Sequence, residues 1–510
     1  MRSSSMMTRL LWFTLLFTLS SLAFGQEKLK VEILHADEVV MDPKISAAQR
    51  MLGNVRFKYK EALMFCDSAY RFTDGDFIAY SRVRIVQGDS LQLFSDELTI
   101  DNTSKVAHLK KNIRLRENDM TLTTDLLDYD FETDIAHYYG GGKITSKSNN
   151  NVLTSEQGFY DTESKFFQFR DDVTLVNPEY KIYSDTLRYS SNAEQAFFYG
   201  PTRIISKDTE IYCENGWYNT ISDLCQFNEN AQITSRTTIM KGDSIFYNGR
   251  TGDGEVFRNV EIQDTTSNYL IQGDYGRHNE KERRSLVTGN AEMIQFFDGD
   301  SLFLHADTLL ALPDSLGKQI IHAAQHVKFY KSDLQGKADS LTYAENDSTL
   351  ILFGSPIIWS KVNQISGERI DLTLNGGKIK EMLINKNSFI ISEAIPGKYN
   401  QIKGKRTVGY FKDNELHRID VFGNGQIIYF PTEQKEEQTR LSGLNRVDCS
   451  DVSLQVSDNE IVKVSLLTKP SGALHPMSKA QESEFTLEGF FWDTSQRPMS
   501  REDIFFWFPN

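Results

Sequence analysis

Gly88-Asp89-Ser90-Leu91 and Gly299-Asp300-Ser301-Leu302 spell one tetrapeptide twice, and in a class of esterases that tetrapeptide presents a nucleophilic serine. A serine used in this way sits on a strand-to-helix turn, with a histidine base beside it and a carboxylate behind the histidine. Here both copies fall ahead of an acidic residue set in alternating apolar sequence, so both are expected to be hairpin turns. His322 and His326 stand four apart, a spacing that would pair them on a helix face but not on a twisted strand. No further ligand cluster accompanies them. Paired catalytic carboxylates, a phosphate-binding loop and a dinucleotide fingerprint are likewise missing. The sequence points away from an enzyme and predicts neither cofactor nor metal.

The acids are better placed for architecture than for chemistry. An acid preceded by a small residue and followed by apolar and aromatic ones recurs at Asp37, Asp67, Asp96, Asp125, Glu156, Asp185, Glu214, Asp243, Asp274, Asp307, Asp339 and Glu368, with gaps of 29 to 33 residues. Calcium-binding repeats use dense Gly-Asp nonapeptides instead. Each acid is therefore expected to cap or turn a bend through its own backbone amides. A second anchor lies between the acids, as in Gly53-Asn54-Val55-Arg56-Phe57 and Asn112-Ile113-Arg114-Leu115. Twelve copies at a near-constant period of 29 residues mean a repeat architecture.

The elements that carry these anchors are strands. Leu91 and Leu93, then Leu98 and Ile100, alternate with polar residues; so do Met120 and Leu122 with Leu127 and Tyr129, and Tyr180 and Ile182 with Leu187 and Tyr189. Period 2 is the strand period. The separation of Leu93 from Leu98 is odd, so the inward face changes at the anchor, as it does where an extra residue bends a strand. Tight turns alternate with looser ones such as Asp101-Asn102-Thr103-Ser104-Lys105. Each repeat then holds two antiparallel strands of roughly ten to twelve residues and advances ~10 Å, which gives twelve repeats on the order of 110 Å. The expected fold is all-β: an elongated run of consecutive bent strands, open or folded over on itself. With no helices to cover them, the twelve inward residues named above are candidates for an apolar groove that takes a lipid, beside their part in a plain core.

Arg2 and Arg9 precede an apolar run from Leu10 to Phe24, and Ala23-Phe24-Gly25 offers a cleavage site, so residues 1–25 are expected to be a secretory signal. A β-repeat domain over 26–375, a divergent continuation with longer loops over 376–468 and an irregular aromatic tail over 469–510 follow. The net charge of −14 argues against a nucleic-acid partner. Thirty-three Phe and 21 Tyr against 11 Pro suit sheets with a greasy inner face. Cys66 and Cys213 fill the small-residue slot before an anchor acid; Cys213 and Cys225 are expected about three residues out of register, with the turn near Thr220-Ile221, and Cys449 has no evident partner. Thr432 to Thr439 is polar and expected to be a mobile loop. The strand around Val31 and Ile33 is expected to be an edge that pairs with a like-folded partner. The tail ends in Phe505-Phe506-Trp507-Phe508, expected to fold back over the last strand or dock on a membrane-embedded partner.

Ala36-Asp37, Leu52-Gly53-Asn54-Val55, Gly289-Asn290-Ala291 and Ala306-Asp307-Thr308-Leu309 resemble the repeats of the OstA/LptA-like lipopolysaccharide-transport family. The stretches Gly404-Lys405 to Tyr410-Phe411, Gly423-Asn424-Gly425-Gln426 and Ile504-Phe505 are similar to the longer OstA-like proteins of Bacteroidetes-type bacteria. The resemblance implies a β-jellyroll or "taco" whose apolar trough carries lipid A acyl chains across the periplasm to the outer membrane. It also implies end-to-end strand pairing with other proteins of the fold. The alternative class is a structural or adhesive β-repeat surface protein with a filled interior and no lipid path.

Overall fold

The computed structural model describes residues 31–41, 48–88, 91–117, 119–147, 150–190, 192–297, 299–376, 378–412, 415–435, 438–457 and 460–507. The leader at 1–25 and Phe508 lie outside these residues. Two compact units form, Met1–Ala136 and His137–Asn510. Both are built of antiparallel strands, and the helical turns among the described residues are the short 3-10 turns Glu482–Glu484 and Glu502–Phe505. The all-β fold expected from the period is the fold that forms.

In the first unit Gln49–Tyr59, Ala62–Arg71, Phe77–Gln87, Leu91–Asp101, Val106–Glu117 and Met120–Asp130 each pair with the next. Every one of these ladders slips once, at the acid. Phe94 pairs with Arg114 and Glu97 with Lys110, so Ser95 and Asp96 face three residues, Lys111 to Ile113. Lys111 and Asn112 take up the extra residue in left-handed conformation, at φ +68° and +52°. Such a pair bends the strand and turns its other face inward. Leu93 and Ser95 are buried before the bend, and Leu98 and Ile100 after it. The same left-handed pair stands at Ser81-Arg82, and in the second unit at Asp171-Asp172, Glu229-Asn230 and Arg258-Asn259.

Each bend divides its strand into two halves. Halves beside the looser turns (97–101 and 106–110, for example) form one wall, called A; halves beside the tight turns (91–94 and 113–117) form wall B. Phe57 of wall B and Phe77 of wall A meet with ring centroids 4.2 Å apart, both wholly buried, so the walls of the first unit close on each other there. In the second unit a Cβ built on Gly254 of wall A would lie 3.2 Å from the Met240 methyl of wall B.

Register keeps the inner faces continuous. In the first unit Phe57, Met64, Ile85, Leu93, Leu115 and Leu122 are successive cross-strand partners on wall B. In the second, Leu153, Leu175, Ile182, Ile204, Ile211, Ile233, Met240, Ile262, Ile271 and Met293 do the same. A one-residue slip anywhere would turn such a row outward, so the apolar pattern itself fixes the register.

Past Asn279 some of the bends become complete breaks, while Gln319–Lys331 and Leu334–Ala344 run through theirs with a slip as before. Arg284–Thr288 and Glu292–Phe297 are halves of one strand parted by Gly289-Asn290, and Thr349–Phe353 and Ile357–Ser360 are parted at Gly354-Ser355. Long strands Lys378–Ile395, Lys398–Lys412, Glu415–Tyr429 and Leu444–Ser457 continue the sheet. Two expectations are corrected. Thr432 to Thr439 is not a loop: Thr432–Lys435 pairs with Gln438–Leu441 as a short hairpin, since its polar residues need only backbone pairing. The chain beyond Lys469 still contributes one strand, Ser471–His475, paired with Leu444–Ser457.

Candidate functional site

The bends are stitched across strands. Asn259 donates its side-chain amide to Asp243 at 2.8 Å, Asn112 to Asp96 at 2.6 Å, Asn54 to Asp37 at 2.8 Å, Asn290 to Asp274 at 2.9 Å and Asn387 to Glu368 at 2.9 Å. Arg82 and His326 take the same role towards Asp67 and Asp307. Among the described residues these acids therefore bind side chains of the left-handed pair on the following strand rather than, as expected from sequence, their own backbone amides; Asp125 instead accepts from the Asn112 backbone N–H of the preceding strand. The Asn259 amide, then Arg258, hold the Asp243 carboxyl below its usual range. The small residue before most of the acids is buried inside the bend, and Ser95, Thr124, Ser155 and Ser184 donate their hydroxyls to the carbonyl two residues on.

Of the twelve groove candidates, Leu93, Leu98, Ile100, Leu122 and Leu127 are buried in the first unit, and Ile182 and Leu187 in the second. Leu91, Met120, Tyr129, Tyr180 and Tyr189 are half-buried at the outer ends of the walls. The structure thus brings together Leu91 to Tyr129 in one unit and Tyr180 to Tyr189 in the other. Tyr160, Tyr218 and Tyr247 occupy the slot of Tyr129 and Tyr189, four residues after an acid, and were not singled out; the period alone could have found them.

The profile of the OstA-like protein family matches residues 28–185, and that of the LptA/LptD N-terminal domain lipopolysaccharide-transport family matches residues 270–378. Over these two stretches the chain is OstA/LptA-like, of lipopolysaccharide-transport type. Its families are those of transport proteins, not enzymes. Among solved structures the chain is similar to LptH, the LptA-homologous periplasmic component of the lipopolysaccharide transport device of Pseudomonas aeruginosa. That likeness has 11% identity and a TM-score of 0.22, over 28% of this chain and 99% of the other. Curated proteins give no match.

Each unit of this OstA/LptA-like chain has a bridge across the mouth between its own walls. In the first unit Lys60, in a wall B turn, donates to the Phe131 carbonyl in a wall A turn at 2.6 Å, and Tyr59 packs edge-on against Phe131 at 4.4 Å. In the second unit Arg283 of wall A lies 3.5 Å from Asp264 of wall B, and Ser267 donates to Glu345 at 3.0 Å. Beneath this polar clasp is a cavity of about 10 Å³, lined by Thr238, Ile262, Tyr269, His278, Ser285 and Gln319 as well as the ion pair. That is room for about one water, and the buried Gln319 side-chain oxygen there has no protein partner. His278, 2.9 Å from the Ser285 hydroxyl, is held below the usual histidine pKa by burial.

The remaining sequence candidates take structural places. Gly299, at φ +83°, is in a turn, and Asp300 pairs with Lys331 at 3.0 Å; Gly88 is also left-handed, while Asp89 and Ser90 lie outside the described residues. His322 bonds Thr342 at 3.0 Å, and no group of His, Cys, Asp and Glu among the described residues could hold a metal ion. All four cysteines are free and buried. Cys225 lies opposite Tyr218, further from Cys213 in register than expected because the turn falls at 220–223.

The tail folds back, but over more than the last strand. It crosses the face of wall B turned away from the trough. There Gln401, wholly buried, donates to the Phe485 carbonyl and accepts from the Leu487 N–H, both at 2.8 Å. Gln364 repeats the two bonds with the Phe491 carbonyl at 2.6 Å and the Asp493 N–H at 2.9 Å. Further along, Arg497 bonds Gln335, Arg501 pairs with buried Glu292, Lys328 donates to the Phe506 carbonyl and Trp507 to the His326 carbonyl. Leu487 joins Phe389, Ile391, Ile428, Phe430 and Leu444 in a second core on this side.

At the N-terminal edge Glu32–His35 and Glu38–Met41 both pair with Gln49–Tyr59. Val31 is only 4% exposed and Ile33 half-buried, because strand parity turns both inward. The exposed apolar side chains of this edge are instead Leu34, Val39, Val40 and Met41. Glu460–Leu466, paired with Leu444–Ser457, exposes Val462, Val464 and Leu466.

Proposed function

We propose that the chain binds lipopolysaccharide by its lipid A acyl chains between walls A and B, in the periplasm, and shields them during delivery to the outer membrane. The continuous inner rows of apolar partners carry this reading. Inside them the backbone is engaged in strand ladders on both sides, so the trough offers an alkyl chain contact without polar cost. The exposed apolar edges at Val39 and Val464 support end-to-end pairing with other proteins of the fold by strand addition. The domain division at 26–375, 376–468 and 469–510 belongs to the same proposal: repeats for the lipid, the continuation and tail for the far partner.

The wall-to-wall contact of Phe57 and Phe77 favours, for that part of the first unit, the second reading, a structural β-repeat with a filled interior. Binding decides between them. Full-length mature protein is expected to retain lipopolysaccharide in a pull-down and to lose it when the lipopolysaccharide is deacylated. Equal retention of the deacylated form would favour a glycan-binding surface protein, and no retention of either a purely structural one.

A further inference from the structure

We propose that the acyl chains seat in one section of the second unit's trough, beneath a row of tyrosines formed by Tyr160, Tyr189, Tyr218 and Tyr247. This rests on the lipid-binding reading above and names where on the chain it happens.

The four tyrosines each stand four residues after an anchor acid, on the inward face of wall A. The strand ladders connect them through one intervening strand each: Tyr189 pairs with Ala196, Ala196 with Tyr218, Tyr218 with Cys225 and Cys225 with Tyr247. The rings of Tyr189, Tyr218 and Tyr247 thus repeat every ~9.6 Å, two strand spacings, with narrow side chains between them, while Tyr160 reaches Tyr189 through Phe167, which stacks on Tyr160 at 4.2 Å.

All four rings are half-buried, with their polar ends tied to wall A turns. Tyr218 donates to Asp223 at 3.1 Å, Tyr247 donates to Glu280 at 2.9 Å, and Tyr160 accepts from Lys165 at 3.3 Å. An aromatic side chain with an apolar body and an anchored polar tip belongs at a boundary between oil and water. The row marks such a boundary along the mouth of the trough.

Across the trough, wall B is incompletely covered in the same section. Leu175, Ile204 and Ile211 are half-buried although they lie on the inner row, whereas Ile233 is 6% exposed and Ile271, further along that row, is wholly buried. The core is filled continuously from Ile233 on, whereas before it buried Leu153 and Ile182 alternate with apolar side chains left partly uncovered. The clasp of Arg283 with Asp264 then bridges the mouth over the filled part. The section is therefore a site with an end, not a uniform conduit.

The occupant must be apolar and slender. A peptide strand would bring N–H and C=O groups to walls whose own groups are already paired, and a sugar would bring hydroxyls; each unsatisfied group is costly. An alkyl chain brings none. Its polar head would lie outside the tyrosine row, beside the turn residues that hold the hydroxyls.

The test places the photoreactive residue p-benzoylphenylalanine singly at Tyr189, Tyr218 and, as a buried position in the same slot beyond the clasp, Tyr343. Each full-length variant is irradiated with purified lipopolysaccharide and with its deacylated form. Capture of the acylated form at Tyr189 and Tyr218, but not at Tyr343, is expected. Equal capture at all three would overturn the confined site while leaving lipid binding intact; no capture anywhere, together with no retention in the pull-down, would remove both. Tyr218→Phe and Tyr218→Ala give a second measurement. The phenylalanine variant is expected to bind within about twofold of the native chain and the alanine variant about tenfold more weakly, from loss of the ring's apolar contact. Alanine binding as tight as native would also overturn the site.

Discussion

Arg501 holds Glu292 through two guanidinium nitrogens, at 2.6 and 2.5 Å, across 209 residues of sequence. Glu292 is 3% exposed, and with the bonds of Phe506 and Trp507 this pair fastens the far part of the tail to the sheet. Arg501→Ala is expected to destabilise the protein by about 2 kcal/mol, below the value for a wholly buried pair because Arg501 is itself partly exposed. Arg501→Ala combined with Glu292→Gln should recover part of this, since no uncompensated carboxylate is left. Denaturant unfolding of the three proteins, with limited proteolysis to report release of the tail, measures both effects.

The bend tolerates little bulk. A Cβ built on Gly242 would lie 2.4 Å from a Val256 methyl, at the small-residue slot before Asp243. Gly242→Ala is expected to cost about 1–3 kcal/mol through overpacking, visible as a lowered thermal midpoint. A neutral substitution there would mean that the bend can open without loss.

The stitch between Asp243 and Asn259 adds a pH dependence with a definite sign. The Asp243 carboxyl is held below its usual range, first by the Asn259 amide and then by Arg258. A depressed folded pKa stabilises above the unfolded value, about 3.9 for aspartate, and that contribution is lost as pH falls through the folded value. The thermal midpoint should therefore fall more steeply with acidification in the native chain than in Asn259→Gly, which keeps the left-handed backbone at φ +50° but removes the amide. Parallel curves for the two proteins would detach the bond from the acid sensitivity.

The period, the inward parity and the change of face at each acid could all be read from the sequence, because apolar alternation records which way a side chain points. Tyr129 and Tyr189 sit in the slots assigned to them for that reason. The partner of each acid could not be read. Asp243 and Asn259 are brought together only by the bulged register of two neighbouring strands, which alternation does not encode. The grip of Gln401 and Gln364 on the tail was hidden for a related reason. Side-chain amides binding backbone leave no period, and the tail residues they hold need no particular identity. That Val31 is buried could not be read from its place on an edge strand, which has free backbone on one side but still turns alternate side chains inward.

Buried thiols should be inert. Burial pushes Cys66, Cys213 and Cys225 up to about 12 and raises Cys449 as well. At neutral pH the nucleophilic thiolate is then scarce, and the sulfurs are also shielded. Iodoacetamide is expected to leave the native protein unmodified and to label four sites after denaturation, as counted by intact-mass spectrometry. Rapid labelling of the native chain would place at least one cysteine at the surface.

The exposed edge offers the last test, of how the chain meets its neighbours. Val462 and Val464 alternate on a strand that pairs with Leu444–Ser457, and they are 62% and 41% exposed. Exposed apolar residues on an edge strand invite another strand, and lysine is the residue most used to prevent it. Val464→Lys is therefore expected to abolish capture of a like-folded partner while leaving the circular dichroism spectrum unchanged and lowering the thermal midpoint only slightly, because Val464, opposite buried Leu454, is still 41% exposed on the terminal strand. Val39→Lys should act in the same way at the N-terminal edge, where Val39 is 51% exposed. A cysteine at Val39 should crosslink to a partner, whereas one at Val31 should not, being buried inside the first unit. Partner capture that survives both lysine substitutions would rule out strand addition at these edges and leave the tail as the site of contact.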